Sequence, residues 1–256
     1  MAFVAGAGPG TVVCLGFSML FLQFAIGTAN DMADVGADSL AKPHKPIPAG
    51  LLSRWQVSVL FGVCTAVGLT LAASVSVPLL VIGVVGLVDG LVYDWRLKGT
   101  VVSWVPFAAG VGLLPVFGWV GATGELPSAA PLVVSLAVAI GGALALANAY
   151  ADLEDDRATQ TESVATLLGS RGTLIADGAV LALVYIVAYA TTVTAAAPPV
   201  AMEMEVIGAL VAATGLGLAG VVKGRWRHLV WEVEGLGLFG LSVGWLAAMD
   251  SVGVLR

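Results

Sequence analysis

Long apolar stretches alternate with short polar ones along the whole chain, and the stretches are long enough to cross a lipid bilayer. A spanning helix needs about 20 consecutive apolar residues. Eight such runs are predicted, at about 8–29, 54–74, 77–93, 101–121, 131–151, 172–195, 206–222 and 230–249. The segments between them are polar or rich in Gly and Pro. The pattern therefore predicts an all-α, polytopic membrane helix bundle of about eight transmembrane helices around a central cavity. Its four-run halves, about 8–121 and 131–249, read as pseudo-repeats within a single integral-membrane domain, 1–256.

Polar residues interrupt this pattern twice in the same way. Asn30, Asp34 and Asp38 follow the first run, and Asn148, Asp152 and Asp156 follow the fifth, at a constant offset of 118 residues. On a helix turning about 100° per residue, i, i+4 and i+8 share a face. Asp31 and Asp155 fall on the same sides. Clustered carboxylates repel one another unless a cation neutralises them. An oxygen-only donor set selects a hard ion, and Mg²⁺ held by carboxylates together with substrate phosphates fits best. Lys42 and Lys45 follow the first motif in a segment stiffened by Pro43, Pro46 and Pro48, which suits diphosphate binding. Arg96 and Lys98, after the third run, are assigned the same role. Glu203 and Glu205 are expected in a solvated loop, and His44 and His228 as interfacial bystanders.

Composition agrees with the membrane reading. Of 256 residues, 59% are hydrophobic and only 11% charged, against roughly 25% charged in soluble domains. The net charge of −6 mostly reflects the two motifs and a few loops. No basic, aromatic surface for nucleic acid is present. Cys14 and Cys64 lie inside apolar runs and read as small buried residues. The N-terminus lacks the basic region of a secretory signal. Ten of the eleven Lys and Arg (42, 45, 54, 96, 98, 157, 171, 223, 225 and 227) fall on one side of the predicted topology, with Arg256 the exception. That bias puts both acidic motifs at the cytoplasmic face. Trp55, Trp95, Trp226 and Trp231 suit the same interface. Asp89 and Tyr93, one turn apart at the end of the third run, and Asp177 in the sixth are intramembrane polar residues, which are functional candidates because burying them is costly.

Together these pieces resemble the UbiA superfamily of intramembrane prenyltransferases. The matching segments are Asn30-Asp31-x-x-Asp34-x-x-x-Asp38, Lys42-Pro43-x-Lys45-Pro46-Ile47-Pro48-Ala49-Gly50, Tyr93 to Lys98, Asn148-x-x-x-Asp152-x-x-x-Asp156-Arg157, and Thr166-Leu167-Leu168-Gly169. The resemblance implies that both motifs bind Mg²⁺ and a polyprenyl diphosphate, whose tail lies in an apolar cavity open to lipid. It implies Asn30, Asp31, Asp34, Asp38, Asn148, Asp152 and Asp156 as metal ligands, Lys42, Lys45, Arg96 and Lys98 on the diphosphate, and Tyr93 and Asp89 near the reacting carbon. Three departures stand out. The first motif follows the first helix where the family's usual nine-helix order puts it after the second, so the family's first helix is expected to be missing. Ala149 stands where many members carry an acid, and Lys45 where Arg is common. The activity expected is transfer of a polyprenyl group from its diphosphate to an acceptor, aromatic or another lipid precursor, with pyrophosphate released and membrane lipid as a further partner. A terpene cyclase of the same architecture, and a non-catalytic membrane binding or transport protein, are the alternatives.

Overall fold

The structure of the protein is a computed structural model that describes Ala2 and residues 4–255; Arg256, the exception to the charge bias, lies outside the described residues. Eight α-helices follow in order: α1 Pro9–Ala41, α2 Arg54–Val75, α3 Val77–Val92, α4 Trp104–Thr123, α5 Ala130–Ala158, α6 Val164–Thr194, α7 Pro199–Leu218 and α8 Leu229–Ser251. There is no strand among the described residues. All eight helical segments are long and apolar enough to cross a membrane, so this is a polytopic, all-helical membrane protein as the pattern predicts. Trp55, Trp95 and Trp226 remain exposed at helix ends.

The predicted edges miss in an informative direction. α1 and α5 do not stop where hydropathy drops but run on through both acidic motifs. Helical hydrogen bonds continue through both motifs, so the i, i+4, i+8 faces are real helix faces. α6 starts at Val164 because Ser163 and Thr166 form a capping box, each side chain bonding the other's backbone N–H. It then breaks at Gly169, whose φ of +71° only glycine adopts without strain. The seventh helix is a correction. It begins at Pro199, with Pro at its first turn, rather than at 206. Glu205 is thus not in a solvated loop: it is 2% exposed and accepts a hydrogen bond from Thr192 Oγ1 at 2.5 Å. Glu203, on another face of α7, is exposed, although it too lies on the helix rather than in a loop.

The described chain divides into two compact units, Ala2–Lys98 with Val116–Leu126, and Gly99–Pro115 with residues 127–255. The division falls within α4 at Pro115, a residue that leaves a helical hydrogen bond unmade. In the N-terminal unit, Leu15, Leu22, Ala72, Leu79 and Phe117 form one apolar cluster and Ala25, Cys64 and Leu87 another. Ser18, fully buried, donates to the Gly68 carbonyl at 2.8 Å, so α1 and α2 touch backbone to side chain. In the C-terminal unit the tightest seam joins α7 and α8. Gly208 and Gly215 lie seven residues apart on α7, and Gly237 and Gly244 seven apart on α8. A methyl on Gly208 or Gly215 would stand 2.7 or 2.6 Å from the facing backbone of α8. Without an apolar driving force inside lipid, such close backbone packing is what holds helices together.

Candidate active site: two acidic helix ends

Both acidic motifs occupy the C-terminal turns of their helices. That end carries the negative pole of the helix dipole, where carboxylates are unfavourable and cations favourable. α1 has no basic residue in its last turn, and α5 has Arg157 alone. Each helix end therefore needs positive charge from elsewhere in the chain.

In the N-terminal unit that charge comes from two lysines. Lys45 Nζ lies 3.1 Å from Asp31 Oδ1 and 2.7 Å from Asp38 Oδ2. Lys98 Nζ donates to Asn30 Oδ1 at 2.6 Å and pairs with Asp34. Local folding explains how each lysine arrives. After α1 the Pro-rich segment closes in successive turns, Lys45 N–H on the Lys42 carbonyl, Ala49 N–H on that of Lys45 and Leu51 N–H on that of Pro46. These turn the Lys45 side chain back over the helix it follows. α3 ends in a π-helical turn, Tyr93–Leu97, closed by Lys98 N–H on the Tyr93 carbonyl. Gly99, at φ +72°, takes the chain out of that turn. Single π turns recur at functional sites. Burial works against the Lys45 charge, but hydrogen bonds to Asp38 and Asp31 outweigh it and raise its pKa above the usual 10.5.

The four donors of the first motif are thus divided between two cations. Among the described residues no three His, Cys, Asp or Glu side chains converge as a ready-made metal shell. The donor chemistry nonetheless fits a hard divalent ion: two amide or carboxylate oxygens meet a positive charge at each of two places, and all are oxygens. Of the other expected diphosphate residues, Lys42 and Arg96 are exposed, and neither joins an acidic partner among the ion pairs of the described residues. Asp89 and Tyr93 are both half-buried, with Tyr93 N–H bonded to the Asp89 carbonyl. Asp94 was not expected. It is 7% exposed, within electrostatic reach of Lys98 and Asp34. Its place among charged neighbours in a short interfacial segment hides it from a hydropathy reading.

In the C-terminal unit, Asn148, Asp152 and Asp156 share one face of unbroken α5. Asp152 is exposed and the other two half-buried. Asp177 of α6 is fully buried and faces Glu234 of α8, which is buried as completely. Glu234 escaped the sequence reading because its partner is 57 positions away (177 to 234). Arg227 escaped it too: the side chain is 7% exposed and pairs with Glu154 on α5.

A membrane-spanning helical protein with two matching oxygen-rich helix ends and a lysine pair on one of them defines the class. The particular family follows from comparison: the chain matches the UbiA prenyltransferase family over residues 1–248 and belongs to it. Among curated relatives it is similar to the digeranylgeranylglyceryl phosphate synthase of Thermococcus kodakarensis, 29% identical over 178 residues, 67% of this chain and 62% of that protein. The enzyme of the same name from Thermococcus gammatolerans is 28% identical over 177 residues, again 67% and 62%. The match spans less than two thirds of the length of these relatives. Two solved structures share the fold. A UbiA homolog from Aeropyrum pernix K1 superposes with a TM-score of 0.77 at 19% identity, covering 94% of this chain and 93% of that one. A UbiA homolog from Archaeoglobus fulgidus bound to GPP and Mg²⁺ gives 0.69 at 18%, covering 95% and 89%.

Proposed function

We propose that the protein is a Mg²⁺-dependent membrane prenyltransferase. It moves a polyprenyl group from its diphosphate to the free hydroxyl of a glycerophosphate-type acceptor and releases pyrophosphate. The observation that carries this reading is the first motif, where paired oxygen donors already gather around two ammonium groups. The acceptor class rests on the names of the Thermococcus relatives.

The metal ligands in this reading are Asn30, Asp31, Asp34 and Asp38 in one motif and Asn148, Asp152 and Asp156 in the other. Magnesium bound there supplies Lewis-acid stabilisation of the departing diphosphate. Lys45 and Lys98, with Lys42 and Arg96 from the flanking turns, donate hydrogen bonds to diphosphate oxygens and follow the charge that grows on them. The allylic C–O bond breaks, its electron pair leaves with pyrophosphate, and the acceptor oxygen captures the carbocation. Asp89 and Tyr93 stabilise that cation or take the acceptor's proton. An apolar surround keeps water from trapping the cation. The protein lies in the cell membrane with both motifs at the cytoplasmic face, as the distribution of Lys and Arg supports.

The test is pyrophosphate release by the purified protein in liposomes, offered geranyl, farnesyl and geranylgeranyl diphosphates with Mg²⁺ or EDTA, and lipid analysis by mass spectrometry. Release that needs both Mg²⁺ and a glycerophosphate acceptor, with an ether-linked product, supports the transferase. A cyclised hydrocarbon without acceptor establishes a cyclase instead. No release under any condition leaves a binding or transport protein.

A further inference from the structure

The back of α5, opposite its motif, carries a device that the proposed chemistry has not used. Tyr150 and Glu154 are one turn apart, and each is about 160–200° around the helix from Asp152 at about 100° per residue. Arg227, on the 3₁₀ turn Gly224–His228 between α7 and α8, reaches both. Its guanidinium carbon lies 4.4 Å from the centroid of the Tyr150 ring, and its Nη1 lies 2.9 Å from Glu154 Oε1. Tyr150 is itself 5% exposed and donates its hydroxyl proton to the Ala219 carbonyl, 2.9 Å away, at the end of α7. The corner joining α7 to α8 therefore grips the last three turns of α5 at two levels.

An arginine that only marked the cytoplasmic side would have no reason to be buried. Lys and Arg at a membrane interface ordinarily keep the charged head in water. Arg227 instead leaves solvent to sit over an aromatic face, and its Nε has no hydrogen-bond partner. Burial of an incompletely paired guanidinium is unfavourable, so it persists where ring stacking and ion pairing hold it. Those two contacts fall on the turns that present Asn148, Asp152 and Asp156. They also bring a full positive charge to a helix end loaded with Asp152, Glu154, Asp155 and Asp156.

We infer that Arg227 is a positioning residue for the second acidic motif: by clamping Tyr150 and Glu154 it fixes the rotation and order of the α5 end, and so the divalent-cation affinity of Asn148, Asp152 and Asp156. This rests on the reading of those residues as metal ligands. Groups hydrogen-bonded to metal ligands set metal affinity about 10- to 100-fold; Arg227 acts one step further out, through the α5 backbone, so the lower end of that range is expected.

The experiment compares wild type, Arg227→Gln, Arg227→Lys and, just before the same turn, Lys223→Gln in liposomes. Amide hydrogen exchange over residues 146–158 is followed with and without Mg²⁺, beside the Mg²⁺ half-saturation of pyrophosphate release. Arg227→Gln is expected to speed exchange in 146–158 but not in 30–41, and to raise Mg²⁺ half-saturation about 10-fold with little change in KM for the prenyl diphosphate. Arg227→Lys, which keeps the charge but loses the planar fork and the stacking, falls between. Lys223→Gln matches wild type. If Arg227→Gln does not fold, Arg227→Lys carries the same comparison. Unchanged exchange in 146–158 and unchanged Mg²⁺ dependence overturn the inference. A fall in activity and Tm with no change in Mg²⁺ half-saturation also overturns it, since that is a merely structural role. If wild type releases no pyrophosphate, the transferase reading fails, and the Mg²⁺-dependent protection of 146–158 alone decides whether Arg227 positions a cation site.

Discussion

The two acidic helix ends have the same sequence spacing and opposite support. At the end of α1, cations stand in front: Lys45 and Lys98 contact the very oxygens assigned to ligand binding. At the end of α5, the arginine stands behind, on residues facing away from the motif. Both arrangements answer one electrostatic problem, carboxylates at the negative pole of a helix. They differ in consequence. A cation in front can exchange its carboxylates for a ligand's phosphates, whereas one behind can only hold the helix still. Identical local spacing therefore specifies donor geometry and leaves charge compensation to residues outside the motif, near in sequence for Lys45 and distant for Lys98 and Arg227.

The most damaging way to break the comparison is to remove a donor from each motif. Asp38→Ala and Asp152→Ala are each expected to lower pyrophosphate release by about 100- to 1,000-fold, as for loss of a group that stabilises transition-state charge. A large loss in one motif with full activity in the other would show that the motifs are not functionally paired. Removing the cations in front comes next. Lys45→Gln and Lys98→Gln leave buried or half-buried carboxylates without partners and should cost about 10- to 100-fold in kcat/KM, about 1.4 kcal/mol per factor of ten. Lys42→Gln and Arg96→Gln, whose side chains are exposed, are expected to cost less; steady-state kinetics on the four variants orders them.

A third variant tests whether the rear support depends on its frame. Gly215→Val in α7 would push against the Glu234 backbone, 2.6 Å from the added methyl carbon. Overpacking of this kind typically costs about 1–3 kcal/mol. The expected outcome is a lower Tm and faster amide exchange at the α5 end, with the α1 end unaffected. The smallest effect is on pH dependence. The Lys45 pKa is raised in the folded protein, so its contribution to stability is fully present below 10.5 and is lost as pH rises through the higher folded value. The Tm difference between wild type and Lys45→Gln should hold constant from pH 7 to about 10 and shrink above that.

The eight membrane helices were legible because both signals involved, apolar length and helical period, are local. So were the faces of Asn30, Asp34 and Asp38 and of Asn148, Asp152 and Asp156, since i, i+4 neighbours meet wherever a helix continues. Four residues were not legible. Glu205 looked like a loop residue because hydropathy treats any charge as an interruption, and only the packing of α7 against Thr192 shows it buried. Glu234 and Asp94 carry no sequence signal of burial. Arg227 looked like one more interfacial cation.

What this chain determines by itself is where helices run and which oxygens share a face, because those follow from backbone hydrogen bonding and residue spacing. Lys45 reaches Asp31 and Asp38 through local turns, but tertiary structure alone decided the long-range pairings. Lys98 stands 64 residues from Asp34 and 68 from Asn30, and Arg227 stands 73 from Glu154 (227 − 154). Coulombic pairing acts through a few ångströms of space, and no periodicity along the chain encodes which distant turns arrive within that range.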